Sequence, residues 1–216
     1  MKSLLYLFLL ISSYASPEVG ILQIYNFSGR EIMPMIGEKA LIARAIPHAE
    51  ETSALMVTAG KHRLETRAGD IKLAEFEFII RDRETVVLAV IPDVENYVIK
   101  KIPVVKEENT LLILSYSNQK HQISVSDRKF ILRPNKEYRL EYTREATIRV
   151  DGGNSLPFNS EEATSHVLLL WKNQENHIQH AFLPSFTFIV PDGLRPDKTF
   201  GRKREKIKGL KTILPN

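Results

Sequence analysis

Apolar residues recur along this chain with a period of two or in short unbroken runs, and no segment before residue 195 has ten residues of clean helical period. Residues 72–80 (KLAEFEFII) alternate polar and apolar side chains, as in a strand with one wet face. Residues 85–91 (TVVLAVI) form a β-branched run, typical of a strand that is central or buried on both sides. We expect these two segments to pair as an antiparallel hairpin across the charged turn at residues 81–84.

Short strand-like segments continue on both sides of a charged break at residues 106–109 (KEEN). Strands at such regular spacing are typical of a sandwich or barrel. The sequence therefore predicts an all-β protein with two antiparallel, immunoglobulin-like β-sandwich domains in tandem, at residues 16–106 and 110–194, and a basic tail at residues 195–216. The other predicted strands cover residues 21–25, 31–36, 40–46, 54–58, 62–66 and 97–105, and then residues 111–116, 122–125, 129–132, 137–142, 147–150, 166–171 and 182–190.

The two predicted domains show a faint similarity at an offset of about 90 residues, a spacing at which internal repeats are worth testing. Two interpretations stay open, because a true duplication and the shared alternation of any two strand-rich segments both produce such a pattern. The superposed pairs are Ile21-Leu22 with Leu111-Leu112, Met33 and Met35 with Ile123 and Val125, and Lys39 with Lys129.

The first fifteen residues have the pattern of a secretory signal peptide. Met1 and Lys2 form a positive start, residues 3–13 are mostly apolar, and Ser13-Tyr14-Ala15 supplies small residues before a cleavage point. The apolar run is well short of the roughly twenty residues that span a bilayer. We therefore expect residues 1–15 to be cleaved, the mature protein to be periplasmic or secreted, and no transmembrane span.

The chain contains no cysteine. This composition excludes disulfides, thiolate metal sites and a cysteine nucleophile. Secreted animal proteins of this size usually carry disulfides, so the composition favours a bacterial envelope.

Positive charge is concentrated at the C-terminal end. The chain has a formal net charge of +4, while residues 195–216 hold eight Lys and Arg residues against two acidic ones. Such a tail suits an envelope protein partner, an anionic polysaccharide or the surface of an anionic membrane, and the alternative is a solvated terminus. We expect no nucleic-acid partner, because the rest of the chain is mildly acidic and carries no such motif. The candidate partner-binding residues are Arg202, Lys203, Arg204, Lys206, Lys208 and Lys211.

No catalytic motif is present. There is no Gly-x-Ser-x-Gly nucleophile elbow and no phosphate-binding loop, and Gly152-Gly153 is interpreted as a turn entering a loop at residues 155–162. His177 and His180 are the best metal candidates, but they lie between two predicted strands and the other histidines are scattered. The sequence therefore predicts no enzyme, no catalytic residue, no cofactor and no metal.

Two groups of side chains leave binding open. Trp171 either presents a flat face to a sugar or fills the second core, and core packing is the preferred interpretation. The second group is a set of cationic side chains near two tyrosines. It either lines a groove for an acidic polymer or forms the solvent-exposed face of a hairpin. It consists of Lys129, Arg133, Lys136 and Arg139, near Tyr138 and Tyr142.

The first half of the chain resembles the small β-sandwich repeats of AlgF-type alginate O-acetylation accessory proteins and related secreted domains. The resemblance lies in an initial strand ending in Asn26, an Ala59-Gly60 turn between strands, and a later Thr85-Val86-Val87-Leu88 strand. It implies a periplasmic accessory that holds components of a polysaccharide-modifying or export machine and performs no chemistry. We therefore expect a non-enzymatic scaffold that binds a partner protein or polysaccharide; the alternatives are a secreted enzyme acting on sugars or esters, and a periplasmic assembly chaperone.

Overall fold

A computed structural model describes residues 18–93, 96–141, 145–159, 165–185 and 211–213. In these ranges the regular elements are strands and no helix occurs, so the prediction of an all-β chain is confirmed. The first half contains β1 (Val19–Asn26), β2 (Met33–Ile36), β3 (Lys39–Ala40), β4 (Glu50–Glu51), β5 (Leu55–Thr58), β6 (Gly60–Ala68), β7 (Ile71–Ile80), β8 (Thr85–Asp93) and β9 (Asn96–Ile102). The second half contains β10 (Thr110–Ser115), β11 (His121–Val125), β12 (Arg128–Leu132), β13 (Glu137–Glu141), β14 (Glu145–Val150), β15 (Leu156–Asn159), β16 (Ser165–Lys172), β17 (Ile178–Ser185) and β18 (Lys211–Ile213).

The described strands form four sheets, two in each half. In the first half an outer sheet has the order β3-β2-β6-β7, and an inner sheet has the order β4-β1-β8-β9, with β5 also paired to β1. The second half repeats this plan with an outer sheet β12-β11-β14-β15 and an inner sheet β13-β10-β16-β17-β18. The pairs β1–β8 and β10–β16 are parallel, so the expectation of purely antiparallel sheets was wrong.

Three large hydrophobic clusters separate the four sheets of the described chain. One lies between the two sheets of the first half and contains Leu22 and Leu88. Its counterpart in the second half contains Leu111 and Leu168. The third lies between the two inner sheets and draws on both halves. Because the inner sheets are covered on both faces, β1, β8, β10 and β16 are nearly unbroken apolar runs, whereas β7 on an outer sheet alternates.

The segments at residues 72–80 and 85–91 do not pair with each other, which corrects the predicted hairpin. β7 pairs with β6 in the outer sheet, and β8 pairs with β1 and β9 in the inner sheet. The charged turn between them crosses from one layer to the other, and its Arg83 backbone amide donates to the Val19 carbonyl at 2.7 Å. The different burial patterns of the two strands are the physical reason, because a strand with one wet face and a strand with two dry faces belong to different layers.

Two other predicted elements differ. Residues 41–44 form bends, and Ile46 makes an isolated bridge with Ile32, so the predicted strand at residues 40–46 was wrong. Leu41 and Ile42 instead pack against the core of the first half as parts of a loop. Conversely, β15 occupies a segment predicted to be a loop, and it pairs with β14. Its apolar positions are too few for the alternation to be visible in the sequence.

The strands of the two halves occupy corresponding positions. However, the structural correspondence is shifted by one residue from the alignment that the sequence suggested. Ile36 and Lys39 flank the β2–β3 turn as Val125 and Arg128 flank the β11–β12 turn, and the first turn residue has positive φ in both cases. Leu22 and Leu111 also correspond in this register, because each faces the core of its own half. A shift of one residue matters because it places every side chain on the opposite face of the sheet.

Candidate functional site

The first strand of each half ends in a serine turn with the same hydrogen bonds. After β1, the Ser28 hydroxyl donates to Asn26 Oδ1 at 2.7 Å, and the Arg30 amide lies 3.3 Å from Ser28 Oγ. After β10, the hydroxyls of Ser115 and Ser117 lie 3.0 Å apart, and the Gln119 amide lies 3.4 Å from Ser117 Oγ. These bonds fix the direction in which the chain leaves each inner sheet.

A cleft of about 310 Å³ lies where the turn after β1 meets the loop between β16 and β17. Its lining comes from both halves of the chain. The aromatic residues of the lining are Phe27 and Trp171, and the polar residues with side chains are Ser28, His48, Asn173, Gln174, Glu175 and Gln179. This volume is at the lower end of the range for small-ligand sites.

Phe27 and Trp171 form the base of the cleft. Their ring centroids are 4.7 Å apart, and each residue is only 1% exposed. Trp171 is therefore buried, as the core interpretation predicted, but it packs in the core between the inner sheets and not in the second half's own core. With so little exposed area the indole cannot offer a full face for stacking to a sugar, so a ligand would contact the aromatic base only at its edge.

The loop at residues 173–176 is held in place by hydrogen bonds at both sides. The His177 amide donates to Asn173 Oδ1 at 2.8 Å, and the Asn173 amide donates to the His177 carbonyl at 2.9 Å. Gln174 Nε2 donates to the Tyr97 hydroxyl at 3.1 Å, which connects the loop to β9 in the other half. The amide groups around the cleft are therefore positioned before any ligand arrives.

His48 contributes an imidazole to the same cleft. The Gly29 amide donates to His48 Nδ1 at 3.0 Å, so the ring accepts at Nδ1 and, when neutral, carries its proton on Nε2. Partial burial lowers the pKa of His48 from its usual value of 6.5. At neutral pH the ring is therefore an uncharged donor beside the amide groups.

The cleft is suited to an uncharged ligand rich in hydroxyl or amide groups. Its polar side chains supply both donors and acceptors, and Glu175 is the one ionisable carboxylate among the lining residues. Gln179 extends this edge of the cleft, and its position in β17 is the register partner of Thr212 in β18. No arrangement of nucleophile and base was found in this lining.

A second polar cluster lies apart from the cleft and was missed by the sequence analysis. His121 Nδ1 lies 2.6 Å from Asp151 Oδ2, and His121 Nε2 is hydrogen-bonded to Ser117 Oγ. The connectivity is that of a Ser-His-Asp triad. However, Ser117 is 3% exposed and His121 is fully buried. Ser28 builds the same turn in the first half, where Ile32 takes the position of His121, so we assign Ser117 to the turn.

The two metal candidates are separated by the structure. His177 lies in the loop before β17, with Nδ1 3.3 Å from a Glu175 oxygen, whereas His180 is buried within β17. Among the described residues no group of three or more His, Cys, Asp or Glu side chains could hold a metal ion. The predicted turn at Gly152 is confirmed, with φ of 72°.

The candidate residues of the tail lie mostly outside the described residues, namely Arg202, Lys203, Arg204, Lys206 and Lys208. Lys211 lies on β18, where it is the register partner of His180 at the edge of the second inner sheet. Tyr142 also lies outside the described residues. No helix in the part of the chain that the structure describes is long and apolar enough to cross a membrane.

Comparison of the sequence with protein-family models and with curated proteins gives no match. The assignment of a function therefore depends on the geometry of the chain itself.

Proposed function

We propose that this protein is a secreted or periplasmic, non-enzymatic accessory protein that binds a polysaccharide in the cleft between its two halves. In this proposal each half is an immunoglobulin-like β-sandwich domain, residues 1–15 are a cleaved signal peptide, and the role is that of a scaffold in polysaccharide modification or export. The resemblance to AlgF-type accessory proteins supports the same role. An envelope protein is the alternative occupant, because amide groups also recognise peptide backbones.

The observation that carries the proposal is the fixed polar rim above an apolar base. Gln174 is held by Tyr97, and the loop behind it is closed by the bonds between Asn173 and His177. Neutral hydrogen-bonding groups on rigid elements favour hydroxyl-rich ligands, because little entropy is lost when the rim binds. The second half supplies this loop and the first half supplies His48, so a ligand would contact both halves at once.

The single tryptophan provides the test, because Trp171 forms part of the base of the cleft. The purified mature protein is titrated with neutral oligosaccharides and with short peptides, and its intrinsic fluorescence is followed. We expect saturable binding of a saccharide and at least a tenfold loss of affinity in the double variant Gln174→Ala, Gln179→Ala. Gln119→Ala, an exposed glutamine on another loop, is the matched control. Equal affinity of the double variant and the wild type would contradict the proposal, and saturable binding of peptides alone would favour the protein partner.

A secreted hydrolase is a second candidate, favoured by the contacts of Ser117, His121 and Asp151. If Ser117 were a nucleophile, a fluorophosphonate probe would label the protein, and Ser117→Ala would abolish the label. We expect no label, because Ser117 is buried and its hydroxyl is already engaged in the turn. Labelling of the wild type that is lost in Ser117→Ala would establish the enzyme instead.

The basic tail is proposed as a further contact with an envelope protein, an anionic polysaccharide or an anionic membrane surface. Arg202→Glu, Lys203→Glu and Arg204→Glu together neutralise the net positive charge of residues 195–216 without altering β18. A pull-down from envelope extracts and a vesicle-binding assay should both lose signal with this variant. Unchanged capture and unchanged vesicle binding would remove the tail from the proposal.

A further inference from the structure

The edge formed by β12 and β13 carries exposed cations around a pair of aromatic rings. We call this surface the basic edge, and it consists of Arg128, Lys129, Phe130, Arg133, Lys136 and Tyr138. The four cationic residues are exposed, and among the described residues none of them forms an ion pair. Arg139 lies beside them but is engaged with Glu107 at 3.4 Å and Glu137 at 3.3 Å.

The outer sheet of the first half shows what an ordinary solvated face of this protein looks like. There Lys61 pairs with Glu77 at 2.6 Å, and Arg63 and Lys72 both pair with Glu75. Arg67 pairs with Glu65 in the same way. Acidic and basic residues thus alternate across β6 and β7 and cancel each other's charge. The basic edge lacks this compensation, so its charge is available to an external anion.

The corresponding edge of the first half is shorter, although Lys39 takes the position of Arg128 there. β12 and β3 are equivalent edge strands of the two outer sheets, but β12 has five residues and β3 has two. The longer strand carries Lys129 and Ile131 on its outward face, and Ile131 is 64% exposed. A strand of this length extends over roughly 15 Å, at about 3.3 Å per residue. Cations therefore lie at both ends of β12, with the exposed Ile131 between them on the outward face.

A rigid aromatic pair lies on the inward face of β12, beside the exposed cations of the basic edge. The rings of Phe130 and Tyr138 are stacked with centroids 3.7 Å apart and planes within 9° of parallel. Phe130 packs against the core of the second half, whereas Tyr138 is 37% exposed. The stack spans the gap between β12 on the outer sheet and β13 on the inner sheet. An exposed tyrosine that is fixed by its neighbour can accept contact without losing further side-chain freedom.

We propose that the basic edge binds an acidic polysaccharide, with the carboxylates of the polymer on the cations and a sugar ring against Tyr138. The exposed cations favour a polyanion. The fixed ring of Tyr138 favours a polyanion built of sugars, because a sugar ring can pack against it. This site is separate from the cleft, and the proposal does not depend on binding there. Arg133 and Lys136 lie at one end of β12 and Arg128 and Lys129 at the other, so a contact would extend over several sugar units.

The test uses the mature protein and polygalacturonate as the probe, with dextran and polyglutamate as comparisons. The variant Lys129→Ala, Arg133→Ala, Lys136→Ala should lose at least tenfold in affinity for polygalacturonate, and the salt dependence of its binding should flatten, because fewer counterions are released. The matched control is Arg30→Ala, Lys39→Ala, Lys106→Ala, which removes the same charge from exposed residues of the first half. Equal losses in the two triple variants would show that only net charge matters and would overturn the proposal.

A second variant separates the ring from the charges. Tyr138→Leu preserves the net charge, and it should weaken polygalacturonate binding severalfold while leaving polyglutamate binding unchanged. Thermal unfolding of each variant confirms that the fold is retained. Wild-type binding of polyglutamate that is as tight as binding of polygalacturonate would contradict the assignment to a sugar polymer. The cleft variant Gln174→Ala, Gln179→Ala should bind polygalacturonate like the wild type, so failure here and failure at the cleft are distinguishable.

Discussion

The indole ring of Trp171 on β16 lies 4.7 Å from the phenyl ring of Phe27, which follows β1. This contact joins the two halves of the chain at the end of their shared core, directly beneath the cleft. Further bonds between the halves run from the Tyr116 hydroxyl to the Lys101 carbonyl at 2.9 Å and from the Val105 amide to Ser185 Oγ at 2.7 Å. The halves are thus connected by packing as well as by the chain.

The shared core predicts that the two halves unfold together. In a urea titration, the fluorescence of Trp171 and the far-ultraviolet circular dichroism should give coincident transitions. Phe27→Ala should lower the free energy of unfolding by about 3–5 kcal/mol, because it opens a cavity in a fully buried site. Two separated transitions in the wild type would show that the core between the inner sheets is not cooperative.

Gly20 on β1 leaves no room for a side chain. A Cβ at this position would lie 2.7 Å from both the Glu84 carbonyl oxygen and Ile80 Cγ1, and 2.8 Å from the Arg81 carbonyl oxygen. Two of these three atoms are backbone and cannot rotate away. Gly20→Ala should therefore cost about 1–3 kcal/mol of stability in chemical denaturation. Glu18→Ala, at an exposed position just before β1, should change stability by less than about 0.5 kcal/mol; a Gly20→Ala variant as stable as the wild type would refute the close approach of β1 to the layer-crossing turn.

We predict that protonation of His48 destabilises the folded protein at mildly acidic pH. Its pKa in the folded protein is lowered by burial below the usual 6.5, so the unfolded chain binds the proton more readily. Stability should fall as the pH drops below about 6.5 and should level off below the lowered folded-state pKa. The bond from the Gly29 amide to Nδ1 is lost when that nitrogen is protonated.

The measurement is the melting temperature between pH 5 and pH 8, taken as the difference between the wild type and His48→Asn. The asparagine oxygen can accept from the Gly29 amide but does not titrate, so the variant isolates the imidazole. The melting temperature of the wild type should fall relative to that of His48→Asn as the pH is lowered, so that the difference between them narrows or changes sign. A difference that stays constant over the whole range would mean that His48 contributes nothing to the pH dependence.

Asp151 is predicted to stabilise the start of β11. Its Oδ2 lies 2.6 Å from His121 Nδ1, and its Oδ1 accepts from the Gln122 amide at 2.7 Å. Asp151→Ala should cost about 1–3 kcal/mol, because the buried imidazole and the Gln122 amide both lose a hydrogen-bond acceptor. Asp127→Ala removes an exposed acid from the neighbouring turn and should be nearly neutral. Equal effects of the two substitutions would show that only surface charge had been altered.

The alternation along residues 72–80 and the unbroken run at residues 85–91 were sufficient to predict an outer and an inner strand. They did not predict the pairing, because the partner of β8 is β1, much earlier in the chain, and nothing local to either segment encodes that choice. Burial of Trp171 followed from the apolar residues before it, but its contact with Phe27 depends on how two sheets pack. The cleft was not predictable for the same reason, since His48 and Gln174 become neighbours only through that packing.

The parallel pairing of β1 with β8 has a consequence for how the protein is made. β1 is synthesised first among the described strands and buries all eight of its residues, yet its parallel neighbour appears only after β2 to β7 have been made. Until then the apolar residues of β1 are not yet covered by β8. Contacts between distant parts of a chain also form slowly. Overproduction of such a chain should therefore favour aggregation of incomplete chains over folding, because β1 is exposed until β8 has been made.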